Sequence, residues 1–369
     1  MKNNILLLIF SMLLVISCED TVDTINIPSN DENNTENNIT GGDNSGTDNS
    51  NGWLIPVAEV FDGGPGKDGI PSLDEPQFWE VDEASSTLTD DLLVIGIKEG
   101  DIIRAYPHFI LDWHEIVNDK LSNVSVAVTY CPLTGSAIGW NRNVNGSETT
   151  FGVSGLIYNN NLIPYDRSTD SNWSQLGLQC VYGELIGDTP DIISLVETTW
   201  GVWKSMYPET KILNTTTGFD RPYGFYPYGD YRTNDEYLIF PLNPIDNRLP
   251  AKERVLAIID NEDSRVFRFS AFGTGSVIII NFNGAQILVV GDQETMVSFK
   301  LDNQTSLLDF EYAYNNSESF FKDSEGTEWN IFGEAIAGPG IGSKLLPTTS
   351  FIAYWFSIGA FYPNAQIFL

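Results

Sequence analysis

A chain of 369 residues that is 42% hydrophobic and 12% aromatic carries enough apolar side chains for a sizeable core, which excludes a collagenous, coiled-coil or wholly disordered protein. Fifty acidic against 19 basic residues give a formal charge of −31, so no basic field exists to displace counterions from nucleic acid. Three Cys and two His exclude a multi-zinc protein and a disulfide-dense scaffold.

At the N-terminus, Lys2 precedes the apolar run Ile5 to Ile16, too short for a finished transmembrane helix and the right length for a signal-peptide core. The run ends in Val15-Ile16-Ser17-Cys18, which resembles a bacterial lipobox. Residues 1–17 are therefore expected to be a lipoprotein signal peptide. Cys18 then becomes the acylated N-terminus, and its lipid anchors the protein to a membrane outside the cytoplasm. Residues 18–52 carry eight acids, nine Asn and no Lys or Arg, the composition of a disordered tether. Its reach as a flexible coil is roughly 30 Å.

The folded body is expected over 53–369. Runs of β character, each bounded by Gly, Asn, Asp or Pro, cover 93–98, 102–106, 124–131, 137–142 and 149–153. Asn145-Gly146 has the chemistry of a type I′ hairpin turn. Helical patterning is confined to 197–207, closed by Pro208, and 351–361, closed by Tyr362-Pro363. These two segments also match each other. Tyr158-Asn159-Asn160, Trp173 and Gly177 recur at a spacing of 156 as Tyr314-Asn315-Asn316, Trp329 and Gly333. Gly183, Trp200, Tyr207-Pro208 and Ile212 recur at 155 as Gly338, Trp355, Tyr362-Pro363 and Ile367. The expected fold is α+β and β-dominant. It consists of two pseudo-repeated, mainly antiparallel units, each with a late helix, at about 88–214 and 250–369, joined by a connector at 215–249.

The repeat isolates the chemistry. The first unit carries His108, His114 and Cys131 within 24 residues, whereas Val255 to Asn315 in the second has neither His nor Cys. Folding back about Lys120 to Asn123 would pair Asn118 with Val124 and leave His114 and Cys131 near the same far end. An imidazole there lowers a thiol pKa and holds a reactive thiolate. Cys131 is thus the candidate nucleophile and His114 its base, with Glu115, Asn118, Tyr158 and Arg167 as polar neighbours. Burial of Cys131 as an inert small hydrophobe is the competing reading. A mixed nitrogen and sulfur metal site for copper or zinc would use His114, Cys131 and His108 or Cys180, although a His spacing of six fits no helical ligand pair. No cofactor is required by the sequence. Cys131 and Cys180, the thiols left after lipidation, would pair if their Cα atoms approach closely enough. Asp68 to Asp74 lacks the ligand spacing of a calcium loop and reads as a capped turn.

The stretch Tyr106-Pro107, Trp113-His114-Glu115-Ile116-Val117-Asn118-Asp119 and Val128-Thr129-Tyr130-Cys131-Pro132-Leu133 closely resembles the domain-of-unknown-function family numbered 3179. Phe151-Gly152-Val153-Ser154-Gly155-Leu156, Tyr165-Asp166-Arg167 and Trp173-Ser174-Gln175 extend the resemblance over most of 68–369. Many members of that family look like they carry Cys-Pro-Leu-Cys-Gly, and some look like selenocysteine proteins, which implies thiol or selenol redox work. Here Thr134 replaces the second Cys, so exchange between two thiols within the loop is excluded. Three functions follow: a Cys-dependent or thiol-redox enzyme acting on a small molecule or a protein thiol, a surface-tethered binding module, and a metal-holding lipoprotein. A sulfur near His114 in an open cleft favours the first or third, and a sealed Cys131 favours the second.

Overall fold

The computed structural model describes residues 52–368. The expected signal peptide, Cys18 and the tether through residue 51 lie outside the described residues. Among those described, strand exceeds helix by 41% to 12%, so the fold is α+β with β dominant.

Three sheets of four or five strands hold residues 60–213, with a two-stranded hairpin of Asn143–Val144 and Ser147–Glu148 beside them. The first runs, in spatial order, Val196–Thr199, Leu93–Glu99, Ile102–Pro107, Lys211–Leu213 and Phe78–Glu80. The second runs Ile192–Ile193, Ser136–Asn141, Val124–Cys131 and Ile116–Leu121, and the third Val60–Asp62, Phe151–Tyr158, Asn161–Asp166, Asn172–Ser174 and Gln179–Tyr182. Residues 254–368 also form three sheets. Ser350–Tyr354, Arg254–Asp260, Asp263–Arg268 and Gln366–Phe368 follow the order of the first. Leu346–Pro347, Met296–Leu301, Ala285–Gly291 and Ser276–Phe282 follow the second, and Phe310–Tyr312, Phe321–Asp323, Glu328–Trp329 and Ala335–Ala337 the third. Among the described residues the strands Lys211–Leu213 and Gln366–Phe368 join a neighbouring strand in parallel, each after a helix has carried the chain across, and Leu73 makes a single parallel bridge to Val117. Trp173 and Trp329 occupy matching strands, and each indole N–H donates to an aspartate, Asp166 at 3.1 Å and Asp323 at 3.0 Å.

Both expected helices begin later than the sequence pattern suggested. Val196–Thr199 and Ser350–Tyr354 are strands, because β-branched and aromatic residues there pair with Leu93–Glu99 and Arg254–Asp260. The helices are Trp200–Met206, capped where Val202 N–H donates to Thr199 Oγ1, and Trp355–Phe361. Gly96 permits this packing: a Cβ on it would fall 2.0 Å from the Trp203 ring. A third short helix, His108–His114, was not apparent from its residues.

The core crosses the two halves. One apolar cluster joins Ile116, Cys131 and Trp173 to Val255, Trp355 and Tyr362, and another joins Val94 and Trp203 to Leu288, Phe299 and Trp329. Neither half buries these faces with its own residues.

Candidate functional site

The Ile116–Leu121 and Val124–Cys131 hairpin closes through the two residues Ser122 and Asn123, with Leu121 opposite Val124. Asn118 therefore faces Ala127, not Val124 as the fold-back about Lys120 to Asn123 supposed. The register carries Ile116 opposite Thr129, and Tyr130 N–H donates to the Glu115 carbonyl at 2.6 Å. Continued straight, the strand would set His114 beside Cys131. It does not continue: Glu115 has φ 57° and ends the helix His108–His114, so the backbone turns at that residue.

The turn separates the expected pair. His114 Nδ1 hydrogen-bonds with the Pro71 carbonyl at 2.7 Å and Nε2 with the Tyr223 hydroxyl at 2.6 Å. Both ring nitrogens are occupied away from the thiol, and burial pulls the imidazole down to about 4, so it stays neutral. Cys131 is 1% exposed, and its Sγ points to the Asn160 carbonyl at 3.5 Å. Burial first, and then the nearby Glu115 carboxyl, push the thiol up to about 11. A neutral, sealed thiol with no imidazole is the reverse of the activated nucleophile expected from the sequence. Cys180 is also a buried free thiol, directed at the Tyr182 carbonyl at 3.4 Å, so the two cysteines are not joined.

Of the expected polar neighbours, Glu115 alone borders the Cys131 cavity. Asn118 is structural, bonded through its amide to both backbone groups of Phe151 and to Asp74. Arg167 clasps the 68–74 turn through Asp68 at 3.0 Å, Asp74 at 3.1 Å and Ser72 at 3.0 Å. Tyr158 packs edge-on against Phe361. Thr134 sits in a buried amide and hydroxyl network with Ser136, Asn161 and Gln175. Among the described residues no group of three or more His, Cys, Asp or Glu lies close enough to hold a metal, and His114, Cys131 and His108 are kept apart.

His108 belongs to a second pocket. About 210 Å³ in volume, it is lined by Leu93, His108, Tyr130 and Gly135 from the first half, Lys252, Arg254 and Tyr354 from the second, and Arg232 from the connector. Strand alternation explains the division, since Tyr130 and Cys131 must project to opposite faces. His108 Nδ1 meets the Tyr130 hydroxyl at 3.2 Å and Nε2 lies 3.1 Å from Glu197. Burial takes this imidazole down to about 3 against the opposing charge of Asp112, and the cations Arg254 and Arg232 act in the same direction as burial.

Three of the chain's 19 basic side chains converge on this seam. Arg232 donates to Asp112 through Nη2 alone, Arg254 pairs with Glu197, and Lys252 donates to the Tyr231 and Tyr237 carbonyls at 3.0 and 2.9 Å. Lys252 lies over the Tyr231 ring at 3.1 Å, and desolvation lowers its ammonium to about 8. Asp112 and Glu197 pair with the two arginines, whereas Lys252 has no carboxylate in ion-pair contact and feels Asp235 and Asp230 only through space. Donors on Arg232 and the Tyr354 hydroxyl remain uncommitted among the described residues. The residues sequence reasoning missed in this pocket are Glu197, Arg232, Lys252, Arg254 and Tyr354, and Tyr228 in the Cys131 cavity. For the three basic ones the scarcity of Lys and Arg was the one available signal, and it does not say which will be brought together.

Residues 67–365 match the model of the family described as protein of unknown function (DUF3179), so the chain belongs to that family. No curated protein and no solved structure matches it.

Proposed function

We propose that this member of the DUF3179 family is a membrane-tethered, extracytoplasmic binding module whose ligand is a small anion held in the seam pocket, and that it is not a thiol enzyme. The observation that carries the reading is the convergence of Arg232, Lys252 and Arg254 on one pocket walled by both halves. Lys252 is buried and Arg232 and Arg254 are partly so, which is costly, and the two arginines are compensated by Asp112 and Glu197. The third, Lys252, is held by the Tyr231 and Tyr237 carbonyls and the Tyr231 ring, with Asp235 and Asp230 acting on it without an ion-pair contact, so an entering carboxylate or phosphate oxygen finds a charge-assisted donor already in place. Tyr130 and Tyr354 supply hydroxyl groups beside those cations.

The enzyme reading loses its support at Cys131, whose thiol is sealed and lacks a base in the ionised, hydrogen-bonded arrangement nucleophilic catalysis uses. The lipobox and the tether motivate attachment to a membrane outside the cytoplasm, with the pocket held clear of the surface.

Titration of the purified full chain with inorganic phosphate and with succinate, at constant ionic strength, tests the reading. Each anion is expected to raise the thermal midpoint in proportion to the logarithm of its concentration, while chloride does not. Lys252→Met and Arg232→Gln should each weaken the effect ~10-fold, the loss of one charge-assisted contact, with an unchanged far-ultraviolet spectrum. The absence of any anion-specific stabilisation, or identical titrations in both variants, overturns the proposal.

A further inference from the structure

Behind the strand face that carries Tyr130 lies the cavity that receives Cys131, about 140 Å³ in volume. Most of its wall is apolar, built from Ile70, Leu133, Val153, Ile157, Leu162 and Phe240. Three polar groups border it: the Glu115 carboxyl, the Cys131 thiol and Tyr228. They act on one another, since Glu115 and Cys131 both help raise the Tyr228 phenol and Glu115 helps raise the thiol.

Glu115 is the anomaly. It is 4% exposed, and among the described residues no hydrogen bond holds its carboxyl in the ionised form. A buried carboxyl without a partner is costly to ionise, and here it avoids that by holding its proton. Burial, and then the charge of Asp112, push it up to about 8. The charged groups acting on it are thus Asp112 and, once ionised, Cys131 and Tyr228, all of one sign. Arg232, a cation of the neighbouring pocket, is paired with Asp112. What the cavity lacks is a positive charge with hydrogen-bond donors and a short apolar body behind it.

We propose that this cavity is a second binding site, independent of the seam pocket, for a small primary amine with a short hydrocarbon chain, taken up in its ammonium form against an ionised Glu115. The Glu115 proton leaves to solvent as the ammonium enters, so the cavity exchanges one positive charge for another and its net charge is unchanged. The hydrocarbon chain lies among Ile70, Val153 and Ile157, and the Tyr228 ring flanks the cationic head.

The test uses the purified full chain at pH 7 with butylamine, butanol and butyrate as probes of equal length and different charge. Calorimetry in two buffers of different ionisation heat counts protons. Butylamine is expected to bind with release of close to one proton, butanol at least ~10-fold more weakly, the value of one retained charge-assisted bond, and butyrate not at all. Difference infrared spectra should show the protonated-carboxyl band of Glu115 disappearing as butylamine binds. Glu115→Gln should lose the amine preference and the proton release while keeping butanol binding, and Cys131→Ala should retain both. Should Glu115→Gln not fold, Ile157→Phe fills the cavity from the opposite chemistry and should abolish amine binding with the seam pocket's anion response intact. Equal affinity for butanol and butylamine, amine binding without proton release, or an amine response that survives both Glu115→Gln and Ile157→Phe overturns the proposal.

Discussion

Tyr130 and Cys131, adjacent on one strand, open onto two different cavities: the tyrosine reaches the cationic seam between the halves and the cysteine reaches the apolar chamber that Glu115 borders. Strand pleat alone separates them. The motif Tyr130-Cys131-Pro132-Leu133-Thr134-Gly135 therefore borders two cavities, with Gly135 on the side of Tyr130 and Leu133 on that of Cys131.

Cys131 should be an unreactive thiol. At pH 8 a thiol pushed up to about 11 holds roughly 10²-fold less thiolate than an unperturbed one, before its burial is counted. Iodoacetamide labelling followed by mass spectrometry is expected to modify it slowly in the folded protein and at the ordinary rate in urea. Rapid labelling of the folded chain would restore the enzyme reading.

Glu115→Gln should stabilise the protein increasingly as pH rises from about 5 to 8. The carboxyl is raised to about 8 in the folded chain, so over that window the unfolded chain loses its proton and the folded one keeps it. Wild-type stability therefore falls with rising pH at this site by up to a few kcal/mol, and Gln has no proton to lose. Urea unfolding of both proteins at pH 5, 6.5 and 8 gives the difference directly, and a gap that does not widen with pH would contradict it.

The two histidines act in the opposite sense. Lowered to about 3 and about 4, they stay neutral in the folded chain while the unfolded chain protonates them below about 6.5. Their contribution is complete above that pH and is lost as pH falls toward 4. His114→Gln, which keeps a hydrogen-bonding group toward Pro71 or Tyr223, should flatten the acid limb of the stability profile.

Trp173→Phe and Trp329→Phe should each cost ~1–3 kcal/mol, from one buried hydrogen bond and lost ring area. The two indoles make the same bond to Asp166 and Asp323, so matched losses measured by urea unfolding are the outcome a duplicated unit requires. A large loss at one position and none at the other would show that the two halves do not use their tryptophans alike.

Cys18→Ser should release the protein from membranes on fractionation. Retention of the variant in the membrane fraction would remove the lipid from the account of its location.

The sequence by itself determined the β-dominant fold and the family, because alternation, turn residues and long motifs are local properties of the chain. It also located the stretch from His108 to Cys131 from which both cavities draw residues. What it did not carry was the partnership. Helix boundaries moved because pairing with distant strands overrode local patterning at Val196–Thr199 and Ser350–Tyr354. His114 lost its expected place beside Cys131 because one residue, Glu115, adopts φ 57° and turns the backbone between helix and strand. That conformation is uncommon for a glutamate and leaves no composition signal. Arg232, Lys252 and Arg254 were invisible as a group for a different reason. They lie more than 100 residues from Tyr130 and join it only where the two halves pack, and the charge of a pocket is a property of which side chains are brought together out of water.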